Sequence, residues 1–211
     1  MLIEPASELV RARLVAVIRT KSAEAALLVA RAALAGGIDA LEVTTSVPGW
    51  PAVVSQLARE VRLVGVGTLF EPEDCLTALA AGARFVVSPA GRSELVAPAH
   101  QAGAACALGG ITPTEVDAVR RAGADLIKVF PADAAGGAGL IKSLRAVFPE
   151  VVFMPTGGIT ADTIAGYLSL DRVVLGIGGW LAPAGAIAGG DAAEITRRAR
   201  LLVAQAGSGG H

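Results

Sequence analysis

The sequence predicts an α/β protein, a single-domain (β/α)8 TIM barrel, and three observations carry that reading. Short apolar runs recur every ~20 to 25 residues with a helical pattern between each pair. Three helical stretches stop in the same way before the next run: AGGIDALEV, AAGARFVV and RAGADLIKV each place glycine at the helix end and then turn into an apolar strand. Eight such units fill the 211 residues, and none carries a dinucleotide-binding fingerprint. An open doubly wound sheet is the alternative, since the same alternation permits it.

In chain order, Ser7 is placed to cap a short first helix running through Arg13, and Leu14 to Ile18 reads as the first strand, ending at Arg19. Ser22 opens a helix that stops at Gly36-Gly37, and Ala40 to Val43 is a strand that carries Glu42 into apolar surroundings. After the loop Thr44 to Gly49, a helix spans Trp50 to Glu60, Leu63 to Val66 is the third strand, and a helix covers Glu71 to Ala80. Phe85 to Val87 is the fourth strand, a helix passes through Glu94 to His100, and Ala105 to Leu108 is the fifth strand. Thr112-Pro113-Thr114-Glu115 is a helix start with proline in its first turn. The sixth strand carries Lys128 within DLIKVFPAD, and a helix from Leu140 to Phe148 leads to a strand at Val152 to Met154. A helix from Thr160 to Leu168, a last strand at Val173 to Ile177, and a closing helix from Ala192 to Gln205 complete the chain, with a flexible tail over 207–211.

Composition narrows the function. The net charge is −1, no basic run is present and aromatics are 4%, which argues against nucleic acid as the main partner. No apolar stretch reaches the ~18 residues that span a bilayer. Glu4, Glu8, Arg11 and Arg13 stand where a secretory signal would be apolar, so a cytoplasmic enzyme or binding protein is expected. Cys75 and Cys106 have no metal-ligand spacing and read as small buried thiols, while His100 and His211 are each isolated.

Lys128 is the informative residue. It interrupts the run Leu126, Ile127, Val129, Phe130, and it is one of three lysines against fifteen arginines. At a strand end it could snorkel to water. In a barrel, however, polar residues at the C-terminal strand ends form the site, and these are Arg19, Glu42, Thr44, Thr68, Ser88, Lys128 and Thr156. Glu42 and Lys128 lie on even-numbered strands, which share interior layers and can face each other. A carboxylate and an amine in an apolar chamber are the pair that imine chemistry needs, because desolvation favours the neutral, nucleophilic amine and the carboxylate can relay protons. The competing reading is a buried ion pair that holds the barrel together. Thr156-Gly157-Gly158 and Gly176-Ile177-Gly178-Gly179 follow the seventh and eighth strands, where bare backbone N–H groups bind phosphate in many barrels.

The spans GGIDALEVT, VGVGTLFEPED, ARFVVSP, DLIKVFPADAAGG and FMPTGGIT together resemble the bacterial 2-dehydro-3-deoxy-phosphogluconate (KDPG) aldolases, a family that includes 4-hydroxy-2-oxoglutarate and phosphogalactonate aldolases. The resemblance runs from Leu14 to Ala204. It implies a homotrimeric class I aldolase, without metal or cofactor, that splits a 2-keto-3-deoxy sugar acid phosphate into pyruvate and glyceraldehyde 3-phosphate. It further implies that Lys128 is the Schiff-base lysine, Glu42 the general acid/base and Thr68 a partner of the pyruvyl carboxylate. Gly157-Gly158 match the phosphate turn, and Arg19 matches an arginine found in part of the family.

Two departures qualify the expected substrate. Ser46 stands where many members have arginine, which leaves Arg19 as partner for a carboxylate or a phosphate. Gly179 stands where a serine hydroxyl usually meets phosphate, and bulky Trp180 follows it, so Trp180 or its neighbours could close the pocket. Two further readings stay open: an aldolase of the same mechanism using another aldehyde, and a non-catalytic phosphate-binding or assembly barrel.

Overall fold

The structure, a computed structural model, describes residues 2–207. Its frame is eight parallel strands: β1 (Leu14–Ile18), β2 (Ala40–Thr44), β3 (Leu63–Gly67), β4 (Phe85–Val87), β5 (Ala105–Gly109), β6 (Leu126–Val129), β7 (Phe153–Pro155) and β8 (Leu175–Ile177). Each strand pairs with its neighbour in sequence, and β1 also pairs with β8. The remaining seam, β7 against β8, is bridged at Phe153–Val173 and Thr156–Gly176, and Val174 N donates to Phe153 O at 2.9 Å. This is a nearly closed barrel, and the open doubly wound sheet is excluded by that order.

The helices are α1 (Glu4–Ala12), α2 (Ala23–Ala35), α3 (Trp50–Leu57), α4 (Pro72–Ala80), α5 (Val96–Gln101), α6 (Pro113–Arg121), α7 (Gly137–Val147), α8 (Ile164–Leu168), α9 (Ala184–Ala188) and α10 (Ala192–Gly207). Local chemistry sets several starts. Ser22 Oγ accepts from Ala25 N at 3.2 Å, as an N-cap should. Thr112 and Glu115 form a reciprocal capping box at the start of α6.

Other boundaries differ from the sequence reading. Ser7 caps nothing: α1 begins at Glu4 with Pro5 in its first turn. Arg13, expected to be helical, has a left-handed φ of 61°. From there its guanidinium donates to Leu168 O (2.7 Å) and Ala206 O (2.9 Å), joining the end of α1 to α8 and α10. α3 ends at Leu57, short of Glu60, and α7 begins at Gly137, before Leu140. α8 starts at Ile164, because Thr160 N bonds Thr163 Oγ1 (3.0 Å) in a turn that delays the helix. β8 begins at Leu175, Val173 serving in the bridge to Phe153. α9, which follows β8, has no counterpart in the sequence reading. Gly207 is the last residue of α10, and the rest of the expected tail, with His211, lies outside the described residues.

Two apolar layers hold the barrel. One lies between strands and helices and includes Ala16, Ile18, Leu41, Val43, Val64 and Val66. The other fills the interior with Val15, Ala40, Leu63, Phe85, Leu126 and Met154, and Ala6 and Leu9 of α1 complete it, so α1 closes the floor. Glu8 fixes that plug through Arg62, whose Nη2 donates to Glu8 Oε1 at 2.7 Å. Among the described residues no helix is long and apolar enough to cross a membrane.

Candidate active site

Strand alternation puts the same parity of residue inside the barrel on each strand. On β2 that set is Ala40, Glu42 and Thr44; on β6 it is Leu126 and Lys128. Above the apolar interior layer, Lys128 Nζ therefore meets Glu42 Oε1 at 3.0 Å, with Glu42 wholly buried and Lys128 5% exposed. Snorkelling to bulk water is ruled out by that burial. The carboxylate's other oxygen, Oε2, is buried and has no hydrogen-bond partner among the described residues. A buried acceptor left unpaired is costly, so the site is built with one oxygen engaged and one held ready.

The carboxylate fits because β3 is bare beneath it. A methyl group at Gly67 would overlap Glu42 Oε1, and one at Gly65 would overlap the Phe85 ring. The two glycines alternate on the inward face of VGVG, a period-two signal in the sequence that reading by polar residues alone passes over.

Lys128 opens into a cavity of about 580 Å³ at the C-terminal end of the barrel. Its walls include Arg19, Thr68, Thr156, Gly157, Gly178 and Gly179, with Phe70, Pro89 and Phe130 at the side toward β3, β4 and β6. Phe70 and Phe130 are about half exposed. Arg19 donates from Nη1 to Ser46 Oγ and from Nη2 to Thr68 Oγ1, both at 3.0 Å. Thr68 holds a left-handed φ of 67°, and Thr45 Oγ1 donates to its carbonyl at 3.0 Å. Thr156 turns its hydroxyl back to Met154 O at 3.3 Å, leaving its side chain packed over Gly176.

The glycine turns require glycine for different reasons. Gly157 and Gly158 have φ of 95° and 72°, which other residues reach only under strain. Gly157 lines the cavity, whereas Gly158 is exposed beside it with the Asp133 carboxylate in the space that a Cβ would take, so any side chain there would collide. Gly179 borders open space, and a methyl group added there would meet nothing within 4 Å. Neither turn runs straight into a helix: α8 begins at Ile164 and α9 at Ala184, so backbone N–H groups of the turns themselves are the donors on offer.

Trp180 is not part of the cavity wall, whereas its neighbours Ala182, Ala184 and Ile187 are. Arg198 of α10 stacks over its ring at 5.0 Å and donates to its carbonyl at 2.7 Å, which draws the indole away from the cavity. The other candidate nucleophiles are also remote in character. Cys75 and Cys106 are buried, and loss of hydration pushes their thiols up to about 11 and about 12. His100 lies outside the cavity and pairs with Asp125 Oδ2 at 2.9 Å.

A family model described as KDPG and KHG aldolase matches residues 6–198. The 2-dehydro-3-deoxy-phosphogluconate aldolase of Pseudoalteromonas atlantica is 37% identical over 194 residues, covering 91% of this chain and 90% of the relative. The KHG/KDPG aldolase of Escherichia coli K12 is 36% identical over 192 residues, covering 90% of each. Among solved structures, a KDPG aldolase from Legionella pneumophila with pyruvate captured as a covalent carbinolamine intermediate superposes with a TM-score of 0.85 at 33% identity, covering 94% of this chain and 98% of that one. Barrel, buried lysine–glutamate pair and these relatives agree, and the chain belongs to the KDPG and KHG aldolase family.

Proposed function

We propose that the protein is a class I aldolase that reversibly cleaves 2-dehydro-3-deoxy-6-phosphogluconate to pyruvate and glyceraldehyde 3-phosphate, with Lys128 as nucleophile and Glu42 as general acid/base. The observation that carries this reading is the buried Lys128–Glu42 contact of 3.0 Å, with Nζ facing the cavity and Glu42 Oε2 unengaged. A purely structural ion pair needs neither the cavity nor the free oxygen, and buried pairs rarely outdo apolar replacements in stability.

In this reading the neutral Lys128 amine, having passed its proton to Glu42, adds to C2 of the keto acid, and the carbinolamine hydroxyl leaves as water with that proton to give a protonated imine. Glu42 takes the proton of the C4 hydroxyl as the C3–C4 bond breaks, so the electron pair is received by the imine as an enamine. The aldehyde leaves. Glu42 then returns the proton to C3, and water releases pyruvate from Lys128. One carboxylate oxygen can stay with Lys128 while the other handles the substrate's proton. The chemistry needs no cofactor. Arg19 and Thr68 are the partners proposed for the keto acid carboxylate, and the backbone at Gly157, Gly158, Gly178 and Gly179 for the distal phosphate, with Thr156 between them. A homotrimer in the cytoplasm is part of the same proposal, supported by family membership, and light scattering on the purified chain reads the trimer directly.

The phosphorylated substrate is the part most open to test. A hydrogen bond to a charged group is worth about 1.5 to 3 kcal/mol, so the hydroxyl absent at Gly179 weakens phosphate binding roughly 10- to 150-fold without removing it. We expect kcat/KM with pyruvate to be higher for glyceraldehyde 3-phosphate than for glyceraldehyde, and Gly179→Ser to widen the gap, since the added side chain meets open space. Equal values for the two aldehydes would favour the reading in which this chain uses an unphosphorylated aldehyde by the same imine chemistry.

A further inference from the structure

The hydroxyls beside Arg19 form a chain whose hydrogen-bond direction can be worked out. Thr44 is wholly buried on β2 and donates its single proton to Ile18 O at 3.1 Å. Its oxygen lies 2.8 Å from Ser46 Oγ, and with the Thr44 proton committed, Ser46 must be the donor across that contact. Ser46 Oγ then has only lone pairs left, and it accepts from Arg19 Nη1. Arg19 Nη2 meanwhile donates to Thr68 Oγ1, so the Thr68 hydroxyl keeps its own proton for another acceptor. The result is one fixed polarity from buried backbone to cavity wall.

The location of this chain bears on what it receives. Thr68 directly follows Gly67, whose Cα underlies the Glu42 oxygen that bonds Lys128. A carboxylate joined to the carbon that reacts with Lys128 Nζ lies one bond from it. The far end of the substrate lies several bonds away. We propose that Ser46 is a positioning residue: anchored by Thr44, it holds the Arg19 guanidinium so that Arg19 and the Thr68 hydroxyl together bind the carboxylate of a 2-keto acid at the Lys128 end of the cavity. The proposal rests on the imine reading of Lys128 and deepens it. Ser46 itself is exposed and touches no reacting atom.

The test uses the full-length protein in the addition direction. Ser46→Ala should raise KM for pyruvate roughly 3- to 10-fold, an effect kept modest by solvent exposure, with kcat within about twofold and the aldehyde KM unchanged. Ser46→Thr, which keeps the hydroxyl, should restore pyruvate KM. Thr44→Val should act in the same direction, and Ser46→Ala in an Arg19→Ala background should add less than about twofold. An unchanged pyruvate KM, a rise in aldehyde KM in its place, or independent multiplication of the Ser46 and Arg19 effects would each overturn the assignment. A merely structural Ser46 would lower the melting temperature without this split between the two substrates. If the unaltered protein forms no borohydride-trapped pyruvate adduct, the imine reading itself fails first, and that result is distinguishable from every outcome above.

Discussion

At the scale of single residues, the acid–base step proposed for Glu42 depends on a missing side chain as much as on a present one. Glu42 Oε1 reaches Lys128 Nζ only because Gly67 leaves room for it on the neighbouring strand. Glu42→Gln keeps the shape and loses the titrating group, so turnover should fall by roughly two to four orders of magnitude. Gly67→Ala keeps the carboxylate but displaces it, and a misplacement near 1 Å costs roughly 100-fold. Because both changes act through one group, Gly67→Ala should add less than about threefold in the Glu42→Gln background, as steady-state kinetics of the double variant would read. If the two losses multiply, Gly67 acts on packing and not through Glu42. The meeting of Lys128 and Glu42, and the place of Arg19, Thr68 and Thr156 at the cavity, were legible in the sequence, because a lysine in an apolar run has few bland explanations. Thr44 and Ser88 of the same strand-end set stay out of the cavity wall, Thr44 donating to Ile18 O and Ser88 accepting from Ala90 N. The role of Gly67 was not, since a glycine's meaning lies in which side chain of another strand occupies the space it leaves.

At the scale of elements, side-chain caps mark some helix starts, while uncapped helices either match the expected start, as α3 does at Trp50, or depart from it. α2 and α6 start where Ser22 and Thr112 indicate. α1, α7 and α8 lack a side-chain cap, and their starts differ from expectation by three or four residues. α9, five residues without a side-chain cap or buried positions, carries too little pattern to be read. The capping box of α6 makes a quantitative expectation. Glu115 accepts from Thr112 N (2.8 Å), Ile111 N (3.0 Å) and Thr112 Oγ1 (3.0 Å), and these donors, the Thr112 backbone foremost, hold its carboxyl below the ordinary 4.5. A carboxyl with a folded-state value below its unfolded one contributes stability above the unfolded value and loses it as pH falls through the folded one. Glu115→Ala should thus cost about 0.5 to 1 kcal/mol at neutral pH, discounted for its exposed position. The difference should shrink as pH drops below 4.5, measured by urea denaturation across the acid range. A pH-independent loss would place the effect in helix propensity and not in the cap.

At the scale of the whole molecule, the eight-fold alternation was readable because each βα unit repeats one physical rule, an apolar strand followed by an amphipathic helix with a glycine stop. Closure was less so: β7 and β8 meet through two bridges rather than a full ladder, and nothing local in either strand announces the partner across the seam. The cavity is likewise a property of the assembled barrel. Its polar groups come from strand ends far apart in the chain, among them Arg19, Thr68, Gly157 and Gly178. What unites residue, element and barrel is the claim that Lys128 bonds covalently to a 2-keto acid. The most direct measurement is peptide mass spectrometry after the protein is incubated with pyruvate and reduced with borohydride. One pyruvyl unit should appear on the peptide containing Lys128, and Lys128→Arg should abolish it, because a guanidinium stays protonated. Labelling at Lys21 or Lys142, or no labelling at all, would contradict the account.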